Sequence, residues 1–311
     1  MKTLKHIEKI MISLKQLNYA LAVEKHLHFK RAAESCSVSQ SALSTALNEL
    51  EKQLGFQIFE RDNKKVLVTP IGKKVLDKAQ SIKLQLDDLY KLADAQRNEL
   101  SYPMSIGIIP TIAPYLLPIV LPELTEQYPQ LELKIFEEQS HVLVDKVRRG
   151  EIDTAILALP YTCDGLLSFE FWEEDFYWVT HSDEMLADRT EITADELEQS
   201  KLMLLQDGHC LKDQALAACK FPSDAQHSVG ATSLNTLIQL VAGKLGTTLV
   251  PEMALEQLIR HNALLSQVRL SEPGPHRRIA FVVRPNYTGV TNIELLMAQF
   301  KNSLKGHFEK T

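Results

Sequence analysis

The chain has 311 residues, 45% hydrophobic and 24% charged, an ordinary globular composition on a length that calls for two or three domains. No apolar run approaches the ~20 residues that cross a bilayer. The opening MKTLKHIEKIMISL scatters Lys and Glu where a signal peptide carries an apolar stretch, so a cytoplasmic location with no membrane partner is expected. The net charge of −6 is uneven: residues 1–102 hold 17 Lys and Arg against 12 Asp and Glu, and the remainder holds 17 against 28. A basic first third ahead of an acidic remainder points to a polyanion met by the first third. The four cysteines, Cys36, Cys163, Cys210 and Cys219, include no CxxC pair. Reduced thiols are therefore expected, with no metal and no cofactor.

Leu14, Leu17, Leu21 and Phe29 open an apolar pattern at helical spacing, and FKRAAESC reads as a short helix broken by SVS. The next segment, SQSALSTALNELEKQLG, begins with Ser39 as an N-cap. Leu43, Ala46, Leu47, Leu50 and Leu54 make one apolar stripe along it, while Gln40, Ser41, Ser44, Thr45 and Asn48 give a polar leading face. Helix, tight turn and a second helix with such a face is the helix-turn-helix arrangement, whose second helix enters the major groove of DNA. The same pattern also fits a surface helix pair in an α-rich domain. FERDNKKVLVTPIG then reads as a β-wing, with Arg61, Lys64 and Lys65 set for phosphates. Thr69 and Pro70 open a long helix along which Val75, Ala79, Ile82, Leu86, Leu89 and Ala93 recur at spacings of 4-3-4-3-4. That seam suits pairing with a second copy of the chain.

The string RAAESCSVSQSALSTALNELEKQLGFQIFERDNKKVLVTPIG resembles the DNA-binding end of LysR-type transcriptional regulators, in its paired alanines, Ser-Gln helix start, LE…LG, F.R and TP.G. Ser41 stands where the family commonly has proline. The resemblance implies a mostly-α winged helix-turn-helix domain with a long linker helix, followed by a two-lobed α/β regulatory domain like that of periplasmic binding proteins. The expected boundaries are 1–72 for the DNA-binding domain (1–11 an extension), 73–97 for the linker and dimerisation helix, and 98–103 for the hinge. The regulatory domain takes 104–311, with lobe I at 104–172 and 274–311 and lobe II at 173–273. Ser39, Gln40, Ser41, Ser44, Thr45, Arg61, Lys64 and Lys65 are the expected DNA contacts. Val75, Ala79, Ile82, Leu86 and Leu89 form the expected dimer interface.

The remainder alternates strand and helix. MSIGII, a helix over 115–128, LELKIFE, a helix over 140–149 and IDTAILAL imply a parallel sheet with right-handed crossovers. FYWVT, a capping-box start at Thr193 with Glu196 three residues on, KLMLL, TTLV and IAFVVRP continue the pattern, and a helix over 293–304 closes it. Ligands of open α/β sheets sit at the carboxyl ends of strands. No repeat, low-complexity tract or glycine-rich phosphate loop is present, and Ser, His and Asp are too dispersed to nominate a hydrolase triad.

GHCLKDQALAAC, residues 208–219, places Cys210 and Cys219 nine positions apart in a helical segment. Nine residues rise about 13.5 Å, and a disulfide needs Cα atoms about 4.4–6.8 Å apart, so the pair cannot bond while the helix is intact. At a helix start the dipole favours a thiolate at Cys210, and a thiolate is the form that attacks peroxide. Against this, Cys219 in ALAAC also fits a core position, and His209 a structural histidine. A zinc site from Cys210, Cys219 and His227 matches no common spacing. The same fragment, with GIIPTIAPYLLP and ATSLNTL, resembles the peroxide-sensing members of the LysR family. That resemblance implies that Cys210 reacts with hydrogen peroxide and that Cys219 resolves the product as a disulfide. It further implies that Thr111, Ser140, His209, Asp213 and Arg277 surround the peroxide. Ser140 stands where threonine is usual and Lys212 where arginine is. Promoter DNA, RNA polymerase, a homodimer or homotetramer, and glutaredoxin with glutathione for re-reduction are the implied partners. The reaction is a stoichiometric signal rather than enzymatic turnover. The alternatives are a LysR-type regulator with a metabolite in the interlobe cleft and structural cysteines, or a stand-alone thiol oxidoreductase.

Overall fold

A computed structural model describes residues 12–62, 65–95, 100, 103–185, 189–219 and 230–309. The extension 1–11, Lys64, His227, most of the hinge 98–103 and the side chain of Arg61 lie outside the described residues. The chain divides into two compact units, Met1–Tyr90 and Lys91–Thr311.

The first unit consists of α1 (Leu14–His26), α2 (Phe29–Ser35), α3 (Gln40–Leu54), the strands β1 (Phe59–Asp62) and β2 (Lys65–Val68), and the start of α4 (Pro70–Ala95). Its boundaries follow from local chemistry. Ser13 and Gln16 close a capping box on α1. Ser39 Oγ accepts the Ala42 N–H to cap α3, and Gly55, at φ +80, ends it. Thr69 Oγ1 accepts the Gly72 N–H at 2.8 Å ahead of α4. The apolar stripe of α3 meets Ala20, Val23, Ala32 and Phe59 in a small core, in which Leu43, Leu47 and Leu50 are wholly buried. The Glu51 carboxylate accepts the N–H groups of Ile58 (2.8 Å) and Phe59 (3.1 Å), which ties the end of α3 to the antiparallel wing.

Gln40, Ser41 and Thr45 are exposed on α3, Ser39 on its N-cap and Lys65 on the wing; Ser44 is half-buried. Ser41 Oγ lies 3.0 Å from Ser39 Oγ, so the hydroxyl that replaces the family's proline joins the cap. The α4 seam divides. Ala79 is buried in this unit's own core and Val75 packs against it, because the first turns of α4 cover the helix-turn-helix. Ile82 and Leu89 are exposed and Leu86 half-buried.

The second unit contains β3 (Met104–Ile108), α5 (Ala113–Gln127), β4 (Leu133–Glu137), α6 (Ser140–Arg149), β5 (Thr154–Leu159), β6 (Leu167–Glu174) and β7 (Phe176–His181). These are followed by β8 (Glu191–Ile192), α7 (Ala194–Glu198), β9 (Leu204–Leu205), α8 (Cys210–Ala218), β10 (Gly230–Ala231) and α9 (Leu234–Ala242). The chain closes with β11 (Thr248–Pro251), α10 (Glu252–Leu258), β12 (Leu265–Leu270), β13 (Arg277–Val283) and α11 (Val290–Phe308). One five-stranded sheet has the order β4-β3-β5-β13-β6, and a four-stranded sheet the order β11-β7-β12-β8. The three strands expected to be parallel, β4, β3 and β5, are so, and β13 joins them running antiparallel to both β5 and β6. The physical reason is connectivity, since β13 returns from the second sheet rather than through a crossover helix. KLMLL supplies only the short β9 and one bridge at Leu202. The capping box at Thr193 and Glu196 is formed.

This topology gathers particular residues at one edge. Thr111 follows β3, Ser140 opens α6 after β4, and Ala158 lies at the end of β5. Because β13 is antiparallel to β5, its first residue, Arg277, reaches the same edge, where it is in register with Glu174, the last residue of β6.

Gly72 marks the tightest approach in the first unit: a Cβ there would stand 2.2 Å from the Ile58 carbonyl oxygen. Gly72→Ala is expected to destabilise that unit by about 1–3 kcal/mol. Guanidinium unfolding of the full chain, followed by far-ultraviolet circular dichroism, checks it; an unchanged transition contradicts the close packing.

Candidate functional site

Cys210 is the first residue of α8 and Cys219 its C-cap. Both are free thiols, and both are buried, at 5% and 2% exposure. The intact helix holds them at opposite ends, and the Cys219 N–H bonds back to the Ala215 carbonyl. Leu211, Gln214, Ala215 and Leu216 form the buried face between them. Gln214, one turn on from Cys210, donates from Nε2 to the Ala158 carbonyl at 2.9 Å, which fastens α8 to the end of β5.

Around the Cys210 thiol the structure brings together Ser140, Arg277, the Ala158 N–H and the helix's own first N–H, each favouring the thiolate. Burial outweighs all of them and pushes the thiol's pKa up. The helix start favours the thiolate as expected, but burial was not legible in the sequence and prevails. Arg277, fully buried, bonds Glu174 Oε1 through Nε and Nη2, each at 2.7 Å. Its remaining donors reach Thr111, with Nη1 3.4 Å from Oγ1 and Nη2 3.3 Å from the carbonyl oxygen. Glu174 Oε2 in turn accepts the Met253 N–H at 2.7 Å. Ser140 Oγ is buried against the Cys210 sulfur, and the Gln214 Oε1 acceptor is buried with no hydrogen-bond partner among the described residues.

Tyr115 is buried close to Arg277, and desolvation pushes its hydroxyl up to about 12. His209 is buried just before Cys210, and burial holds its imidazole below the usual range, so it is neutral at pH 7. Gly208, at φ +96, is pressed against Gln139, where a Cβ would stand 2.7 Å from Oε1. Lys212 pairs with Asp207 at 2.6 Å.

Thr111, Ser140, Arg277 and Cys210 thus lie in one connected group, with His209 beside it. Asp213 does not join them. It is exposed on α8, on the face away from the buried Gln214, and the carboxylate on Arg277 is Glu174. Sequence reasoning missed Glu174, Gln214 and the Ala158 N–H. Glu174 is one acid among several in EFWEED, and only strand register singles it out. Gln214 was legible as the residue one turn after Cys210. At the far end of α8, burial pushes the Cys219 thiol up to about 12, with the Glu272 charge adding to it. Among the described residues, no three His, Cys, Asp or Glu side chains are grouped to hold a metal ion. No helix among the described residues is long and apolar enough to cross a membrane.

The LysR substrate binding domain matches residues 97–305, and the bacterial regulatory helix-turn-helix protein, lysR family, matches residues 14–73. The chain therefore belongs to the LysR family of bacterial regulators. Within it, the chain is 34% identical to the DNA-binding transcriptional dual regulator OxyR of Escherichia coli, over 96% of this chain and 98% of that one. Full-length OxyR from Pseudomonas aeruginosa, with a cysteine replaced by aspartate, superposes with a TM-score of 0.78 at 34% identity, covering 94% of this chain and 95% of that one. A Corynebacterium glutamicum OxyR with a cysteine replaced by serine and hydrogen peroxide bound gives 0.66 at 35% identity, over 95% and 94%.

A protonated, buried Cys210 reacts only through the small thiolate fraction. Its alkylation by iodoacetamide, followed by peptide mapping, is expected to rise about tenfold per pH unit from pH 7 to 9 without levelling off. A rate already flat by pH 7 would show a resting thiolate.

Proposed function

We propose that the chain is a hydrogen-peroxide-responsive, DNA-binding activator of transcription, switched by a reversible disulfide between Cys210 and Cys219. The observation that carries this reading is the single helix with a buried thiol at each end. One thiol stands against the Ser140 hydroxyl and the buried Arg277, and the other is sealed among apolar side chains. The similarity to OxyR along nearly the whole chain supports it.

In the proposed reaction, Thr111, Ser140 and Gln214 orient the peroxide while Arg277 favours the thiolate. The Cys210 sulfur attacks one oxygen, the O–O bond breaks, and hydroxide leaves to take up the thiol's proton as water. The resulting sulfenic acid is attacked by the Cys219 sulfur, with loss of a second water and formation of the S–S bond. Two thiols are oxidised as one peroxide is reduced, so each oxidation is one signal until the disulfide is reduced again. Since α8 must open for the sulfurs to meet, oxidation carries a change of shape.

The division of labour we propose is DNA contact through 1–72, pairing of copies through 73–97, and sensing through 104–311. Ser39, Gln40, Ser41, Ser44, Thr45, Arg61, Lys64 and Lys65 meet DNA, and Ile82, Leu86 and Leu89 meet a second copy. RNA polymerase as the target of activation, glutathione with glutaredoxin as reductant, assembly as dimer or tetramer, and a cytoplasmic location belong to the same proposal.

Peptide mapping after a brief, near-stoichiometric peroxide pulse tests it. A Cys210–Cys219 disulfide is expected within seconds. It is lost in Cys210→Ser, and in Cys219→Ser it is replaced by a sulfenic acid that dimedone traps. If both thiols stay reduced, the signal is a different molecule in the cleft.

A further inference from the structure

A second cleft, of about 700 Å³, lies in the regulatory unit between α10, the loop leading to β12 and the end of α11. None of the residues around Cys210 lines it. Met253, Leu255, Ile259 and Leu265 give it an apolar floor. Phe308 closes one side, held by stacking on Trp172 with ring centres 5.5 Å apart. The apolar floor is joined by a polar rim that includes Glu252, Glu256, Arg260, His261 and His307, and a concavity of this size suits a small molecule with both an apolar and a polar part.

The polar groups are unequal. Glu252 and Glu256, four positions apart on α10, both line the cleft. Glu256 is already matched, by Arg260 and, at 3.8 Å, by the His261 ring. Glu252 has no ion pair among the described residues, and its one side-chain hydrogen bond is a 3.5 Å contact from the Tyr177 hydroxyl. The Arg269 guanidinium, whose charge also acts on Glu252, donates to that same Tyr177 oxygen at 3.0 Å. Half-burial and the charges of Glu174 and Asp175 raise the pKa of Glu252, outweighing the opposing charge of Arg269 and the Tyr177 hydrogen bond. A carboxylate held this way gains most from a ligand that brings both positive charge and N–H donors.

We propose that this cleft binds a small organic cation, a primary ammonium carried on an apolar body, with Glu252 as its counter-ion and Phe308 as its aromatic wall. The apolar body covers the floor, and the ammonium meets the carboxylate at the rim. Phe308 adds the attraction of a ring face for a cation. An anionic ligand of the same shape is repelled by Glu252.

Calorimetric titration of the full chain with 4-phenylbutylamine, 4-phenylbutanol and 4-phenylbutyrate separates charge from shape. The amine is expected to bind one to one, about tenfold more tightly than the alcohol, and the acid most weakly. Glu252→Gln is expected to remove the amine's advantage while leaving the alcohol's affinity and the melting temperature unchanged. Equal binding of the three, or no binding of the amine, overturns the proposal. An amine advantage that persists in Glu252→Gln does so too. Should that variant fail to fold, the three-ligand comparison on the unmodified chain decides alone.

Discussion

A helix of nine residues holds two buried thiols apart, and the behaviour of the regulatory unit turns on that spacing. An isolated helix this short has little stability of its own in water. What keeps α8 formed is tertiary: the buried face of Leu211, Ala215 and Leu216, the Gln214 bond to Ala158, and the burial of a cysteine at each end. The helix is therefore conditional on its packing. A reaction that converts Cys210 into a polar sulfenic acid alters one end of the packing on which the helix depends, and a disulfide to Cys219 is incompatible with it altogether.

The electrostatics are arranged around a paired rather than a free charge. Arg277 and Glu174 have no solvent contact, and each supplies the other's partner across adjacent strands. Breaking a buried pair by removing one partner costs about 3–5 kcal/mol, because the other charge is stranded. Arg277 is thus both a structural tie between β13, β6 and the Thr111 turn and the positive group nearest Cys210. Burial outweighs the pull of Arg277 and the helix start and holds the Cys210 thiol's pKa up. The sealed thiol of Cys219, pushed up to about 12, is a poor nucleophile until it leaves the core.

Much of this was legible in the sequence for identifiable reasons. The apolar stripe of α3, the Ser39 and Thr193 caps, and the alternation of strand and helix are local patterns, and local patterns survive folding. The incompatibility of Cys210 and Cys219 followed from helix geometry alone. The antiparallel return of β13 was hidden because strand direction depends on where the chain has been in between. Glu174 and the loss of Asp213 from the cluster were hidden for the same kind of reason. One is chosen by cross-strand register, and the other is turned to solvent by its angle on α8. Val75 and Ala79 sit in an unbroken heptad seam, yet the first turns of α4 are used up by their own domain. The raised pKa of Cys210 depends on a balance of burial against four favourable groups, and burial cannot be counted from sequence.

The most direct measurement is hydrogen–deuterium exchange of the α8 amides, residues 210–219, in the dithiol protein and in protein oxidised to the Cys210–Cys219 disulfide. The account predicts protected amides in the dithiol form and loss of that protection once the disulfide has formed. A disulfide-bonded protein whose α8 amides remain as protected as before would contradict it.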